Sequence, residues 1–170
     1  NTFTVSVLGR INPLRFYQAV KEAMIIAFST SSSNATLPVA MECVEHVGVS
    51  REYSSFVIPL GATVNMDGTA LYQGVAAVFI AQIYGVPLGL TDQLTIVLMA
   101  VLSSVGAAGV PSAGIITLAM VLKQIGIPLE GIALILGVDR FLDMCRTTTN
   151  IIGNMAASVV IHSSEEKRKK

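Results

Sequence analysis

From Gln93 to Leu122 the chain runs thirty residues without a single charge, and from Tyr53 to Thr91 its only charge is Asp67. A helix that faces water shows a charged or strongly polar face every few residues, so neither stretch suits a soluble domain. The reading as a soluble helical binding module falls on these runs. Composition agrees, because 13% of residues are charged and 52% hydrophobic, whereas soluble domains carry about a quarter charged residues. The chain is therefore expected to be an integral membrane protein, and its 170 residues suffice for one domain with a substantial core. The formal net charge is zero, which leaves no basic footprint for nucleic acid. Cys43 and Cys145 lie far apart inside apolar segments, without metal-ligand spacing, and read as buried free thiols. The first residue is Asn1 rather than Met and the last six are EEKRKK; the expectation is the C-terminal part of a longer membrane protein.

A bilayer core about 30 Å thick takes roughly 20 helical residues to cross. The thirty-residue run does not read as one such crossing, because its centre is SSVGAAGVPSAG, residues 103–114. The apolar arms on either side are each about half a bilayer long. Two half-helices joined by a small-residue tip make a re-entrant hairpin. The segment STSSSNATLP, residues 29–38, has the same plan. Irregular backbone at membrane depth is tolerated only where protein or a watery cavity satisfies its N–H and C=O groups, so two such tips imply a shared internal site. The expected fold is all-α and integral to the membrane: transmembrane helices, one broken mid-membrane, plus two re-entrant helical hairpins. In chain order these are a cytoplasmic-side connection (1–21) and a core (22–162) of hairpin one (about 22–47), a broken helix (about 53–84), hairpin two (about 93–122) and a last helix (about 131–162), then a charged tail (163–170). Arg10, Arg15, Lys21 and the KRKK tail are expected on the cytoplasmic side, and this topology places both basic clusters there.

The last segment, GVDRFLDMCRTTTNIIGNMAASVVI, spans residues 137–161. On a helix its Asp139, Asp143, Arg146, Thr147, Asn150 and Asn154 fall within an arc of about 100°. Phe141, Met144, Cys145, Ile152 and Met155 take the opposite side. An unpaired guanidinium inside a bilayer costs at least about 2.5–3.5 kcal/mol, so Arg146 requires an anionic partner. Asp143, three residues earlier on the same face, serves only in part.

Four motifs occur in order: SSSNATLP, GATVNMDGTALY, SSVGAAGVPSAG and DRFLDMCRTTTNIIGN. Together they resemble the glutamate/aspartate transporter family of secondary carriers, the dicarboxylate/amino acid:cation symporters, from about Asn12 to Ile161. The resemblance implies secondary active symport of an acidic amino acid (L-aspartate or L-glutamate) coupled to Na+, to H+ or to both, by an elevator-like transport domain. It implies no enzyme, a multi-pass location in the plasma (inner) membrane, contact with the lipid bilayer, and a homotrimer held by scaffold helices that this chain lacks. A C4-dicarboxylate:cation symporter is the alternative.

The same resemblance implies roles for individual residues. Arg146 clamps the substrate's side-chain carboxylate, for which a planar fork is suited. Asp143 and Thr147 take its amino group, and Thr69 and Asn150 make further contacts. Ser32 and Ser33 in the first tip, with Val110 to Gly114 in the second, hold the α-carboxylate on amides near half-helix starts, and Gly106, Gly109 and Gly114 let the second tip bend. For Na+, Asn65 and Asp67 serve one site; the carbonyls of Gly61, Asn65 and Asn150 serve another; those of Thr63, Ser104, Val105 and Ala107 serve a third. Asp67 protonated and bonded to backbone would instead suit a proton-coupled carrier.

Two departures stand out. Sodium-dependent members have Asp where this chain has Asn154, and the lost charge is expected to weaken or remove the cation site beside Asn150, which favours proton coupling or fewer sodium ions. Ser31 and Met144 stand where many members carry an additional arginine. An intramembrane aspartyl protease would need Asp67 and Asp143 to share a proton, yet the order Asp-Gly-Thr is wrong for one and Arg146 would keep Asp143 charged. A broken-helix channel would explain the tips but not the grouping of Asp143, Arg146 and Thr147.

Overall fold

The computed structural model describes residues 1–105, 107 and 109–168; Gly106 of the second tip and Lys169–Lys170 of the tail lie outside the described residues. All regular structure among them is helical. After a π-helical turn at Thr4–Leu8 come α1 (Pro13–Thr30), α2 (Ser33–His46), α3 (Arg51–Val64), α4 (Asp67–Ile83), α5 (Leu90–Ser104), α6 (Ala113–Ile125) and α7 (Ile132–Arg168).

The breaks follow local chemistry. Ser31 ends α1 in the left-handed region at φ 52°, and the Ser32 hydroxyl caps α2 by accepting from Ala35 N. Asn65 and Met66 divide α3 from α4. The first helix begins earlier than the apolar count suggests, at Pro13 rather than near residue 22. Asn12 Oδ1 accepts from Leu14 N at 2.9 Å and Pro13 has its φ preset for a first turn. Phe16, Val20, Ala23 and Ala27 then form a buried stripe at helical spacing while Arg15 and Lys21 stay exposed. Part of the expected connection is thus helical, and so is the tail as far as Arg168.

These breaks leave short helices. Among the described residues no helix is both long and apolar enough to cross a membrane: α2, α3, α5 and α6 have only 13 to 15 residues, and α7 is long at 37 residues but carries Asp139, Arg140, Asp143 and Arg146.

Helix α7 is the spine. Its second half joins a core with α1, α2 and α3 through Phe16, Val20, Val44, Ile58, Ile151 and Met155. A second core unites α4, α5 and α6 with Ile135 near the start of α7, through Ile80, Ile96, Leu118 and Leu122. Many of the buried apolar residues are small, including Ala23, Ala27, Ala40, Ala62, Ala76, Ala77, Ala81 and Ala156, which lets backbones approach closely. Many of the large ones point out: Leu71, Val75, Phe79, Leu94, Leu98, Leu102, Ile116, Leu134 and Phe141 are exposed. On α7 the amphipathic pattern is inverted, with Asp139, Asp143, Arg146, Asn150 and Asn154 each at most 5% exposed.

Candidate functional site

The two cores meet beside the middle of α7, where the helix starts of α2, α4 and α6 converge. Ser31, Ser33, Met66, Thr69, Ala107, Gly109, Val110, Ala113, Gly114, Asp143, Arg146, Thr147 and Asn150 line one cavity of about 10 Å³, room for about a single water. Of the expected substrate residues, Ser33, Thr69, Val110, Ala113, Gly114, Asp143, Arg146, Thr147 and Asn150 stand in this wall, whereas Pro111 and Ser112 do not, and Ser32 instead joins the two tips: its hydroxyl donates to Gly109 O at 2.9 Å, and Asn34 N donates to the same oxygen at 3.2 Å. Three helix N-termini give the cavity a positive backbone field.

Arg146 holds the centre. Its Nε donates to Asp143 Oδ1 at 2.9 Å and its Nη1 to Asp139 Oδ1 at 3.5 Å. Its Cζ lies 4.4 Å from the Tyr72 ring centroid, a cation–π distance, and the Tyr72 hydroxyl donates to Asp139 Oδ1 at 2.9 Å. Asp143 Oδ2 accepts from Ser112 N at 2.6 Å, which ties the second tip to α7. Arg146 Nη2 is buried with no partner among the described residues. Gly114 is what lets the guanidinium sit here, since a Cβ at that position would lie 2.5 Å from Arg146 Cζ.

The break between α3 and α4 is closed by α7. Asn150 Oδ1 accepts from Gly68 N at 2.8 Å and Thr69 N at 3.3 Å, and Asn150 Nδ2 donates to Thr69 Oγ1 at 3.1 Å. A side chain from α7 thereby caps α4. One turn further along α4, Gln73 is fully buried; it accepts from Ser103 Oγ of α5 at 2.8 Å and donates through Nε2 to Thr117 Oγ1 of α6. This clip fastens both arms of α5–α6 to α4.

The expected cation residues divide. Gly61, Asn65, Asp67, Asn150 and Asn154 gather at the crossing of the break with α7: a Cβ on Gly153 would meet both Asn65 Nδ2 and Asp67 Oδ2 at 2.9 Å. Asp67 itself is exposed and lines, with Asn65, Ser104 and Val105, one end of a cleft of about 800 Å³ between α4 and α5. Ala107 lines the central cavity instead, and Thr63 is exposed on α3 with its hydroxyl returned to Leu60 O. Asn154 is fully buried. Its Oδ1 accepts from Asn65 Nδ2 at 3.0 Å; with the amide turned to suit its other neighbours, its nitrogen instead donates to Gly61 O and Asn65 O, each at 3.2 Å, and its oxygen accepts from Ala62 N at 3.2 Å. In the turned orientation the amide N–H groups sit on the carbonyl oxygens that a cation would use.

Tyr72, Gln73 and Met66 were not singled out by sequence, and Asp139 was placed on the polar stripe without a role. A signal existed for two of them: Tyr72 and Gln73 lie three and four residues after Thr69, on its face of α4.

The sodium:dicarboxylate symporter family model matches residues 1–164. The chain is 49% identical over 161 residues to an excitatory amino acid transporter of Caenorhabditis elegans, covering 94% of this chain and 32% of that protein. It is 49% identical over 158 residues to excitatory amino acid transporter 4 of Rattus norvegicus, 92% of this chain and 28% of the relative. It is 46% identical over 165 residues to excitatory amino acid transporter 1 of Homo sapiens, 96% and 30% respectively. The chain spans about a third of the length of these curated relatives. With its broken helix, paired tips and buried Arg146, the chain belongs to the sodium:dicarboxylate symporter family.

Proposed function

We propose that this chain is the substrate-carrying part of a secondary carrier that moves aspartate or glutamate across the plasma membrane together with a cation. Residues 13–162 form the moving core, between a cytoplasmic-side connection (1–12) and a charged tail (163–170). In this reading α1–α2 and α5–α6 are re-entrant hairpins, α3 and α4 together make one broken crossing, and the core slides as an elevator against scaffold helices of a homotrimer. The names of the relatives, all excitatory amino acid transporters, support transport rather than enzyme chemistry.

One observation carries the substrate class. A buried guanidinium whose Nη2 has no partner among the described residues stands in a wall where three helix N-termini converge, a setting for two separate carboxylates. The substrate's side-chain carboxylate takes the fork of Arg146, replacing the long contact to Asp139. The α-carboxylate takes the tip amides and Ser33, and the ammonium takes Asp143 and Thr147. An amino acid needs far more than 10 Å³, so the Ser112–Asp143 bond and the Ser32–Gly109 bond must open to admit it. The second tip is the gate.

Charge explains why a cation must travel too. With all three ionised, Arg146 against Asp139 and Asp143 is a buried group of net −1, and an acidic amino acid adds another −1. A buried excess of negative charge is costly without a counterion. The Asp67 carboxylate and the Asn65 side-chain amide oxygen fit one Na+. The site at Gly61 and Asn65 O does not fit a second, because Asn154 already donates to those oxygens; fewer sodium ions, or H+ in place of one, follow.

The test is calorimetric titration of L-aspartate and succinate into the purified full-length protein, in sodium and then in choline at two pH values. Aspartate binding that Asp143→Ala abolishes supports the assignment. Succinate binding that is tighter than aspartate, and indifferent to Asp143→Ala, would replace it with a C4-dicarboxylate carrier.

A further inference from the structure

A second lined cavity lies near the C-terminal end of α7, about 18 Å along the helix from Asn150 at 1.5 Å per residue. It measures about 350 Å³, within the range of small-ligand sites. Arg10 and Lys167 supply its cationic side chains, Glu166 a carboxylate, and His162 a ring packed edge-on against Tyr53 at 5.3 Å between centroids. Val49 and Val159, 3% and 1% exposed, form an apolar floor.

Three features set this cleft apart from a chance surface hollow. Neither Arg10 nor Lys167 has an ion-pair partner among the described residues. His162 Nδ1 is buried without a hydrogen-bond partner there, a state that carries a desolvation penalty. The loop that brings Arg10 to α7 is held close and strained: Arg10 has φ 55°, uncommon for a residue with a Cβ, and a Cβ on Gly9 would lie 2.8 Å from Val159 Cγ1. Immediately around Arg10 in the chain, Phe3, Val7, Leu8 and Leu14 are exposed large apolar side chains. A basic rim beside exposed apolar side chains is the chemistry of a bilayer surface, where cationic side chains meet anionic headgroups.

We propose that this cleft binds the phosphate headgroup of an anionic phospholipid. Arg10 and Lys167 take the phosphate oxygens, the His162 side is reached by the polar part of the headgroup, and the acyl chains run along Phe3, Val7 and Leu8. Glu166 opposes the bound anion and keeps the affinity moderate. Lipid occupancy would pin the α1 connection to the C-terminal end of α7, away from the second tip. The inference requires that this end of the protein meets a bilayer; it does not depend on which substrate the central cavity takes.

The experiment uses the full-length protein in detergent. Dihexanoyl phosphatidylglycerol, dihexanoyl phosphatidylcholine and glycerol phosphate are each titrated while binding is read by thermal shift. Saturable binding of phosphatidylglycerol but not phosphatidylcholine is expected. A Lys or Arg near an anionic headgroup is worth about fivefold in affinity, so Arg10→Gln with Lys167→Gln should weaken binding about 25-fold. Glu166→Gln, which removes the opposing charge, should tighten it about fivefold and decides the matter if the double variant does not fold. Equal phosphatidylglycerol affinity in the wild type and the variants would overturn the proposal. So would glycerol phosphate binding as tightly as the lipid, which would make this a site for free phosphate esters. Aspartate titrated into the same samples separates the two readings: lipid binding without aspartate binding would leave this inference standing and remove the proposed function.

Discussion

Asn154→Asp should convert a sodium-indifferent position into a sodium-dependent one. In the wild type the turned amide of Asn154 donates its nitrogen's hydrogens to Gly61 O and Asn65 O at 3.2 Å each, in a site with no solvent exposure. The substitution replaces both N–H donors with a carboxylate oxygen facing two carbonyl oxygens. A buried charge left without its partner costs about 3–5 kcal/mol. At about 2–4 °C per kcal/mol for a protein of this size, Tm in choline chloride should fall by about 6–20 °C. Sodium at a hundred times its Kd would return about 2.7 kcal/mol, because the carboxylate and the two carbonyls then form a cation site. A protonated carboxyl has no charge to bury, so the destabilisation grows with pH as the introduced group ionises. In choline the variant should accordingly gain stability as pH falls, and the sodium rescue should shrink with it. Thermal unfolding in sodium and choline at matched ionic strength, at two pH values, reads all of this. A variant with the same Tm in both salts would refute the view that Asn154 stands in for a cation.

Arg146→Lys keeps the charge but loses the fork and the stacking on Tyr72, so aspartate affinity by calorimetry should drop by about 2–3 kcal/mol. Gly114→Ala places a Cβ 2.5 Å from Arg146 Cζ; overpacking of this kind costs about 1–3 kcal/mol, to be read as a lower Tm together with weakened aspartate binding. Gln73→Leu removes the bridge between Ser103 of α5 and Thr117 of α6, whose hydroxyls keep only their own-helix acceptors Ala100 O and Gly114 O; two lost hydrogen bonds at about 0.5–1.5 kcal/mol each should loosen the second tip, seen as faster hydrogen exchange over residues 103–117.

What the sequence discloses here is mostly punctuation and periodicity. The Ser-rich tip, the Asn65–Met66 break and the small-residue stretch after Ser104 announce themselves because Ser, Gly, Asn and Pro disfavour continued helix for local reasons. The α7 stripe is legible because helical spacing alone aligns Asp139, Asp143, Arg146 and Asn150. Contacts that depend on how helices cross are not legible. Spacing puts Tyr72 and Gln73 on the face of Thr69, but not that one lies beneath Arg146 and the other bridges two further helices. Asn150 reads as a polar residue on its own helix, although its side chain serves the first turn of another. The amide of Asn154 differs from a carboxylate by one group, and its consequence appears only when the carbonyls it touches are in view. The early start of α1 was hidden for a simpler reason: Arg15 and Lys21 look like a connection until Phe16 and Val20 are seen to be buried between them.

The cap that Asn150 places on α4 also constrains how the polypeptide is made. The two partners are 82 residues apart, and a ribosome adding about 5–20 residues per second needs about 4–16 s to reach the second after the first. Through that interval the leading amides of α4 stand beside a finished Asp67 with no α7 to receive them. Nascent α4 therefore depends on its surroundings, lipid, water or chaperone, until the last helix emerges. A premature stop anywhere before Asn150 would damage not only the missing helix but one completed many seconds earlier.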